Sequence, residues 1–401
     1  MNAVGIDISK GKSMIAVVRP FGEVVVSPYE VHHTASELRQ LADSLKSLDG
    51  ETRVVLEHTG RYYEPVAQIL NSAGIFVSAV NPLLIKAYGN NSIRKVKTDK
   101  ADALKIARYG IDNWSELREY TTSDKIREQL KILNRQYSLY TKNKTSLKNN
   151  LIALLDQSFP DANSFFNSPV RENGSQKWVD FAASFWHVDC VQNLSSKTFT
   201  ERFRKWCRRH GYNFNEAKAA SIHEKAKELV PTLPKNKSTK ILIAEAIRQL
   251  NSSAKTVEVL RSEMNRLAAQ LPEYPIVMDM FGVGISLGPQ LMAEIGDIRR
   301  FAQRGSLTAF AGVDPMPNQS GSYERQSNPS SKRGSPYLRK SLFLVMSVLM
   351  QKAPVDDPVY QFLYKKRSEG KPYYVYMTAG CNKFLRVYYG RVNAYLAALD
   401  S

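Results

Sequence analysis

The sequence predicts an α/β domain at the N-terminus, a middle region of long helices, and a mainly α C-terminal domain. Three observations carry this reading. Over residues 1–115, short β-prone apolar segments alternate with turns and amphipathic helices. Two long helical periodicities follow within 116–272, separated by an inserted segment at about 158–237. From 273 to 401, apolar helical patterns return, broken by glycine-containing and polar turns. The 401 residues are 43% hydrophobic and 23% charged, a globular composition that excludes wholesale disorder and fibrous repeats.

Residues 3–8 (AVGIDI), Met14–Val18 and Glu23–Val26 read as an antiparallel meander with turns at 9–12 and 19–22. Thr34 and Glu37 form a capping box for a helix whose apolar face is Leu38, Leu41 and Leu45. Arg53–Glu57 is a buried-type strand, 62–73 is helical and Ile75–Val80 is a further strand. The order β-β-β-α-β-α-β with a mixed sheet is the ribonuclease-H-like arrangement. A helix follows from about Lys100, with Ala101, Leu104, Ile106 and Ala107.

In the middle region, Ile126, Leu130, Leu133, Tyr137 and Tyr140 recur at helical spacing, as do Ile241, Ile243, Ile247, Leu250, Val257, Leu260, Met264 and Leu267. Two long amphipathic helices of similar length predict an antiparallel coiled coil. The insertion is rich in Trp, Phe and basic residues. Its RFRKWCRRHG segment (202–211) suits either a phosphate-binding face or a solvated helix over a buried Trp206. Phe281-Gly282-Val283-Gly284 is a helix-hairpin-helix-like element, although a tight turn between helices needs the same glycines. A polar loop spans 315–335, and Ser335-Pro336 opens a helix as N-cap and N1.

Charge is unevenly placed. Lys+Arg total 56 against 38 Asp+Glu, net +18. Residues 1–114 carry 14 basic and 12 acidic side chains, whereas 299–401 carry 16 and 6. The excess favours a polyanionic partner, mainly for the C-terminal part. There, Lys332, Arg333, Arg339 and Lys340 flank a helix start. Tyr364-Lys365-Lys366-Arg367, Lys371-Pro372-Tyr373-Tyr374 and Lys383–Tyr389 mix cations with rings that could stack on unpaired bases; for Tyr388 and Tyr389 a core position is expected instead. Cys190, Cys207 and Cys381 are too few and too scattered for a disulfide framework or a zinc site. No apolar run reaches the roughly 18 residues of a membrane span. The stretch MNAVGIDISKGK lacks a signal-peptide pattern, so a cytoplasmic chain, on the nucleoid when acting, is expected.

Four acids stand out. Asp7 lies within the first strand, Glu57 ends a later one, and Asp99 and Asp102 are one helical turn apart. An apolar strand has no structural need of an acid at its interior or end. Hard divalent cations need carboxylate oxygens, and such a site can orient a phosphodiester. Each acid alone has a plain alternative: a turn acid, an ion pair with Arg61, a helix cap. Bases ring them: Lys10, Lys12, Arg61, Arg94, Lys95 and Lys97.

GIDISK, LEHTGRY and KTDKADA resemble the N-terminal domain of the DEDD-type insertion-sequence transposases. This is the insertion-sequence one-ten group, which includes the pilin-gene-inverting recombinase. FGVGISLGPQLMAEIGD, FAGVDPMPNQSG and SKRGSPYLRKSLF resemble that family's C-terminal transposase domain. The resemblance covers roughly 1–115 and 275–350. It implies a RuvC-like N-terminal fold in which Asp7, Glu57, Asp99 and Asp102 hold Mg²⁺, with Mn²⁺ able to substitute. It implies Ser320, in the Gln-Ser-Gly pattern, as a nucleophile forming a covalent phosphoserine link to DNA in a composite site. It also implies a structured noncoding bridge RNA, donor and target double-stranded DNA as partners, and a tetramer built as a dimer of dimers. The expected function is therefore RNA-guided recombination inserting and excising a mobile element. The alternatives are a metal-dependent nuclease or Holliday-junction resolvase using activated water, and a non-catalytic nucleic-acid binder.

Overall fold

Alternating β-branched and small residues put five strands of the N-terminal region into one mixed sheet. The computed structural model describes all residues except 59, 61, 89–97, 121–123, 316–318, 321–322 and 325–328, with the backbone alone at 319–320 and 323–324. The chain divides into two units, 1–123 and 124–401.

In the first unit, β1 (Asn2–Ser9), β2 (Lys12–Val18) and β3 (Val24–His32) form the expected meander. Then come α1 (Ala35–Lys46), β4 (Thr52–Glu57), α2 (Glu64–Ser72), β5 (Phe76–Val80), α3 (Pro82–Tyr88) and α4 (Asp99–Asp112). The sheet order is β3-β2-β1-β4-β5, with β4 parallel to β1 and β5 parallel to β4. This is the ribonuclease-H-like order that the sequence predicts. The Thr34 hydroxyl caps α1 by accepting from Glu37 N at 3.3 Å, and the Glu37 carboxylate accepts from His32 N at 2.7 Å. Leu38, Leu41, Leu45, Val66 and Leu70 bury one face of the sheet against Ile6, Ile15 and Val54.

The other face of the sheet receives α4, and Gly5 decides how closely. A Cβ on Gly5 would lie 2.1 Å from the Ala103 carbonyl oxygen and 2.3 Å from Ala107 N. One on Gly110 would lie 2.8 Å from Val55 Cγ2 and 3.3 Å from Ala3 Cβ. Ala103 thus sits over Gly5 while Gly110 sits over Ala3, so α4 runs opposite to β1. Its first turn points toward the C-terminal ends of β1 and β4. Gly5→Ala is expected to destabilise the chain by about 1–3 kcal/mol, the usual range for overpacking against atoms that cannot rotate away. A urea midpoint unchanged from wild type would contradict this seating.

The second unit is mostly helical. It contains α5 (Lys125–Ser158), the inserted α6 (Lys177–Ser184), α7 (Asp189–Gln192), α8 (Ser196–His210) and α9 (Glu216–Glu228), then α10 (Lys237–Ala268). Helices α5 and α10 pair antiparallel. Arg127 meets Glu273 near one end, Ser253 Oγ donates to Tyr140 O at 3.3 Å midway, and Thr232 N donates to Gln157 O at 2.9 Å at the other. At the insertion end, Leu151, Leu155, Ile243 and Ile247 join an aromatic core of Phe159, Phe181, Phe199, Phe203 and Trp206. In α8 the aromatic residues face inward while Arg202, Arg204, Lys205, Arg208 and Arg209 are exposed.

At the other end of the pair come α11 (Tyr274–Met278), α12 (Leu287–Ile295), α13 (Arg304–Ala311), the short strands β6 (Gln319–Ser320) and β7 (Tyr323–Glu324), α14 (Pro336–Lys352), α15 (Pro358–Ser368) and α16 (Tyr373–Asp400). The residues beyond 350 belong to this core through Leu363, Cys381, Leu385, Tyr388 and Val392. Gly282 has φ +80°, and a Cβ there would lie 3.2 Å from Val345 side-chain and carbonyl atoms. That turn and its packing on α14 require glycine by themselves. Among the described residues, no helix is long and apolar enough to cross a membrane.

Candidate active site

The four acids come from three elements at one edge of the first unit. Asp7 lies in β1 opposite Met14 of β2. The parallel register of β1 and β4 runs to Ile6 opposite Leu56, so Asp7 and Glu57 are each the next residue along. The Thr98 hydroxyl caps α4, accepting from Ala101 N at 3.2 Å, and puts Asp99 and Asp102 into the first turn. Carboxylates there are favoured by the helix dipole, so local propensity and position agree.

Electrostatics shows how the turn straddles the sheet. The Glu57 carboxyl titrates above its usual 4.5, chiefly because it is half-buried; Lys105 opposes the shift and Asp102 adds to it. Lys12 titrates above the usual lysine value, mainly through its 2.7 Å bond to Glu30 and that group's charge, with a smaller contribution from Asp99. Asp102 therefore acts on the end of β4 and Asp99 on the start of β2, with Asp7 on the strand between. Among the described residues, no three His, Cys, Asp or Glu side chains gather closely enough to hold a metal. The donor set itself suits a hard divalent cation, being all carboxylate.

Lys105 is a residue that the sequence reading missed. It follows Asp102 by three positions, which was the available signal, and among the described residues it is the base acting on Glu57. The raised Glu57 pKa has a stability consequence. The folded state holds that proton more tightly than the unfolded state does. Stability from this group is thus lost as pH rises from the unfolded value through the folded one. Without divalent ions, Glu57→Gln is expected to melt higher than wild type at neutral pH and level with it below pH 4. Melting curves across pH check this, and a lower Tm at neutral pH would contradict it.

The predicted basic residues fall out differently. Lys10 is exposed in the β1–β2 turn, and Lys12 is engaged with Glu30. Arg61, Arg94, Lys95 and Lys97 lie outside the described residues. In the second unit, Lys332, Arg333 and Lys340 are exposed. Arg339 instead donates to the Ala311 and Gly334 carbonyls at 3.1 and 2.8 Å, bracing the loop before α14.

Ser320 ends β6, where it pairs with Tyr323 of β7. The base of this loop is pinned. Pro315 bridges Ser330, Ser331 N donates to Asp314 O at 3.0 Å, and Ser331 Oγ donates to Asp314 Oδ1 at 2.5 Å. Behind it, Glu294 of α12 is buried and accepts from Asn134 at 2.8 Å, Arg135 at 3.0 Å and Ser335 Oγ at 2.7 Å. Ser335 also caps α14 through Leu338 N at 3.3 Å, and the Arg135 guanidinium lies 3.6 Å over the Tyr337 ring. The sequence hint was an acid at the end of an apolar helix, LMAEIGD.

Comparison with known proteins agrees with both halves. Residues 4–160 match a family model of the DEDD IS110 type described as "Transposase", and residues 274–361 match one described as "Transposase IS116/IS110/IS902 family". The chain is 24% identical over 374 residues to the insertion element IS116 uncharacterized 44.8 kDa protein of Streptomyces clavuligerus, covering 92% of this chain and 88% of that one. It is 23% identical over 292 residues to the pilin gene-inverting proteins of Moraxella bovis and Moraxella lacunata, covering 73% of this chain and 65% of each of theirs. Among solved structures, Thermus thermophilus RuvC matches at 17% identity and TM-score 0.23, over 29% of this chain and 96% of RuvC. The same protein in complex with a Holliday junction substrate matches at 16% identity and TM-score 0.23.

An α/β domain with an acidic edge, joined to a basic helical unit and matched in both parts, defines an enzyme of DNA transposition and recombination. The chain belongs to the IS110/IS116 family of transposases.

Proposed function

We propose that this transposase moves its DNA by metal-dependent serine transfer, guided by RNA. The observation that carries the first part is the shared edge of Asp7, Glu57, Asp99 and Asp102, supplied by adjacent strands and by the turn that Gly5 lets α4 bring down. By the family resemblance these four would hold Mg²⁺, for which they would have to draw closer together than they stand here. When bound, the ion supplies positive charge against a phosphodiester and its attacking and leaving oxygens. Glu57, half-buried and beside Asp102, keeps its proton more readily until a cation is present. Lys105 lowers the repulsion between those two acids.

Ser320 is proposed as the nucleophile, supported by its place in the family's Gln-Ser-Gly pattern. Its Oγ–phosphorus bond would form as the phosphorus–oxygen bond to one deoxyribose breaks. The hydroxyl proton would leave with the displaced oxygen. The reverse attack by a new deoxyribose hydroxyl would restore the serine and join strands without an external energy source. The bridge RNA, donor and target duplexes and the tetramer follow from the family resemblance. In the chain itself they are supported by the net charge of +18 and the basic C-terminal part.

The test is strand cleavage of a labelled element-end duplex by protein co-expressed with the element's small RNA. Cleavage is expected with Mg²⁺ or Mn²⁺ and is lost with EDTA. Cleavage undiminished by EDTA would sink the metal reading.

A further inference from the structure

A cavity of about 1130 Å³ opens in the second unit among α14, α15 and α16. Its rim includes Pro315, Pro329 and Ser330, the base of the loop that carries Ser320. Lys332, Lys340, Lys383 and Arg386 line it, together with Arg339, which is spent on the Ala311 and Gly334 carbonyls; no carboxylate among the described residues does. Nor do these four form an ion pair within the described residues. Cations brought together without acids repel one another, and a polyanion relieves that.

Three aromatic rings stand among the apolar and small polar residues of the rest of the lining. Phe343, Phe362 and Tyr374 come from three different helices. Tyr374 is 73% exposed and stands between Tyr373 and Val375 at 50% each, so three consecutive apolar side chains face solvent at the cavity. Its centroid lies 6.5 Å from that of Phe343 and 5.2 Å from that of Tyr373. Lys332 is held in the left-handed region at φ +51°, with its N–H donating to Gly312 O at 3.1 Å. Left-handed backbone is unfavourable for a side-chain-bearing residue and persists where its surroundings impose it.

We propose that this cavity binds an unpaired stretch of nucleic-acid strand beside the serine loop, with bases stacking on the aromatic wall and phosphates on the four cations. The ligand class rests on the DNA-acting reading above; the site rests on its own geometry. A duplex hides its base faces in the stack, so exposed rings can be used only by unpaired bases. A strand fits better than a single nucleotide because the surface continues. A second groove of about 850 Å³ shares Pro336 and Lys340 with the first and runs along α5 past Arg135, Lys142 and Asn149.

The test uses the full chain without divalent ions and a fluorescein-labelled oligothymidylate of about eight nucleotides, within the usual span of single-strand sites. Tyr374→Ala is expected to weaken binding about tenfold. Lys383→Gln and Arg386→Gln are each expected to flatten the dependence of log affinity on log salt by about 0.7. Matched melting temperatures confirm folding. An oligouridylate arm tells DNA from RNA as the source, and loss in either arm supports the site. Wild-type affinity and salt slope in all three variants overturn it. Tyr374-dependent binding by a protein that never cleaves DNA would keep this site and remove the transfer mechanism. Cleavage by a protein whose binding ignores Tyr374, Lys383 and Arg386 would do the reverse.

Discussion

Asp7→Asn is expected to abolish DNA strand cleavage and joining, by about a thousandfold or more, equivalent to roughly 4 kcal/mol of transition-state stabilisation. The reason is placement. Asp7 is on the central strand of the sheet, between the strand that ends in Glu57 and the strand whose first residue feels Asp99. The substitution keeps size and polarity, and removes the charge that a hard cation needs. A Tm close to wild type should accompany the loss. Mg²⁺ should raise the wild-type Tm, because a ligand bound only by the folded state stabilises it; it should raise the variant's far less. An Asp7→Asn chain that still cleaves at the wild-type rate would remove this edge from the mechanism.

Glu294→Ala is expected to destabilise the chain by about 3–5 kcal/mol, the range for breaking a buried ion pair from one side. Asn134, Arg135 and Ser335 all lose their acceptor, and two of the three donors lie on α5, across from α12. The effect should extend to function, since Ser335 both anchors to Glu294 and caps α14 just after the serine loop. Glu294→Gln keeps an acceptor and should cost less. Urea denaturation of the three proteins measures this. A loss below about 1 kcal/mol for the alanine variant would mean that the network carries little.

The sheet was legible because its strands are apolar and its turns carry Gly, Pro and Lys. The end of β3 was not, since Ser27 and Pro28 read as a break after Val26. The strand runs on to His32 because β3 is an edge strand with a register shift opposite Ile15–Val17, where a missing N–H is tolerated. Helix α3 (Pro82–Tyr88) was also missed; only Ile85 of its seven residues is buried, so it lacks an apolar stripe.

For the site, residue type and spacing singled out Asp7, Glu57, Asp99 and Asp102, but periodicity could not tell that Gly5 is what lets α4 approach. That depends on two backbones meeting, which leaves no pattern along one of them. Glu294 escaped for the same reason: its partners are about 40 and 160 positions away in sequence. In the insertion, a buried Trp206 beneath an exposed basic helix was one of two readings of RFRKWCRRHG, and the burial of Trp206 at 5% exposure fits it.

The most direct test of the account is an SDS-resistant protein–DNA adduct, assayed with Mg²⁺, the co-expressed small RNA and a labelled donor duplex. Wild type, Ser320→Ala and Asp7→Asn are compared. The account predicts an adduct in wild type alone. Cleavage without an adduct, undiminished in Ser320→Ala, would contradict it and make water the nucleophile.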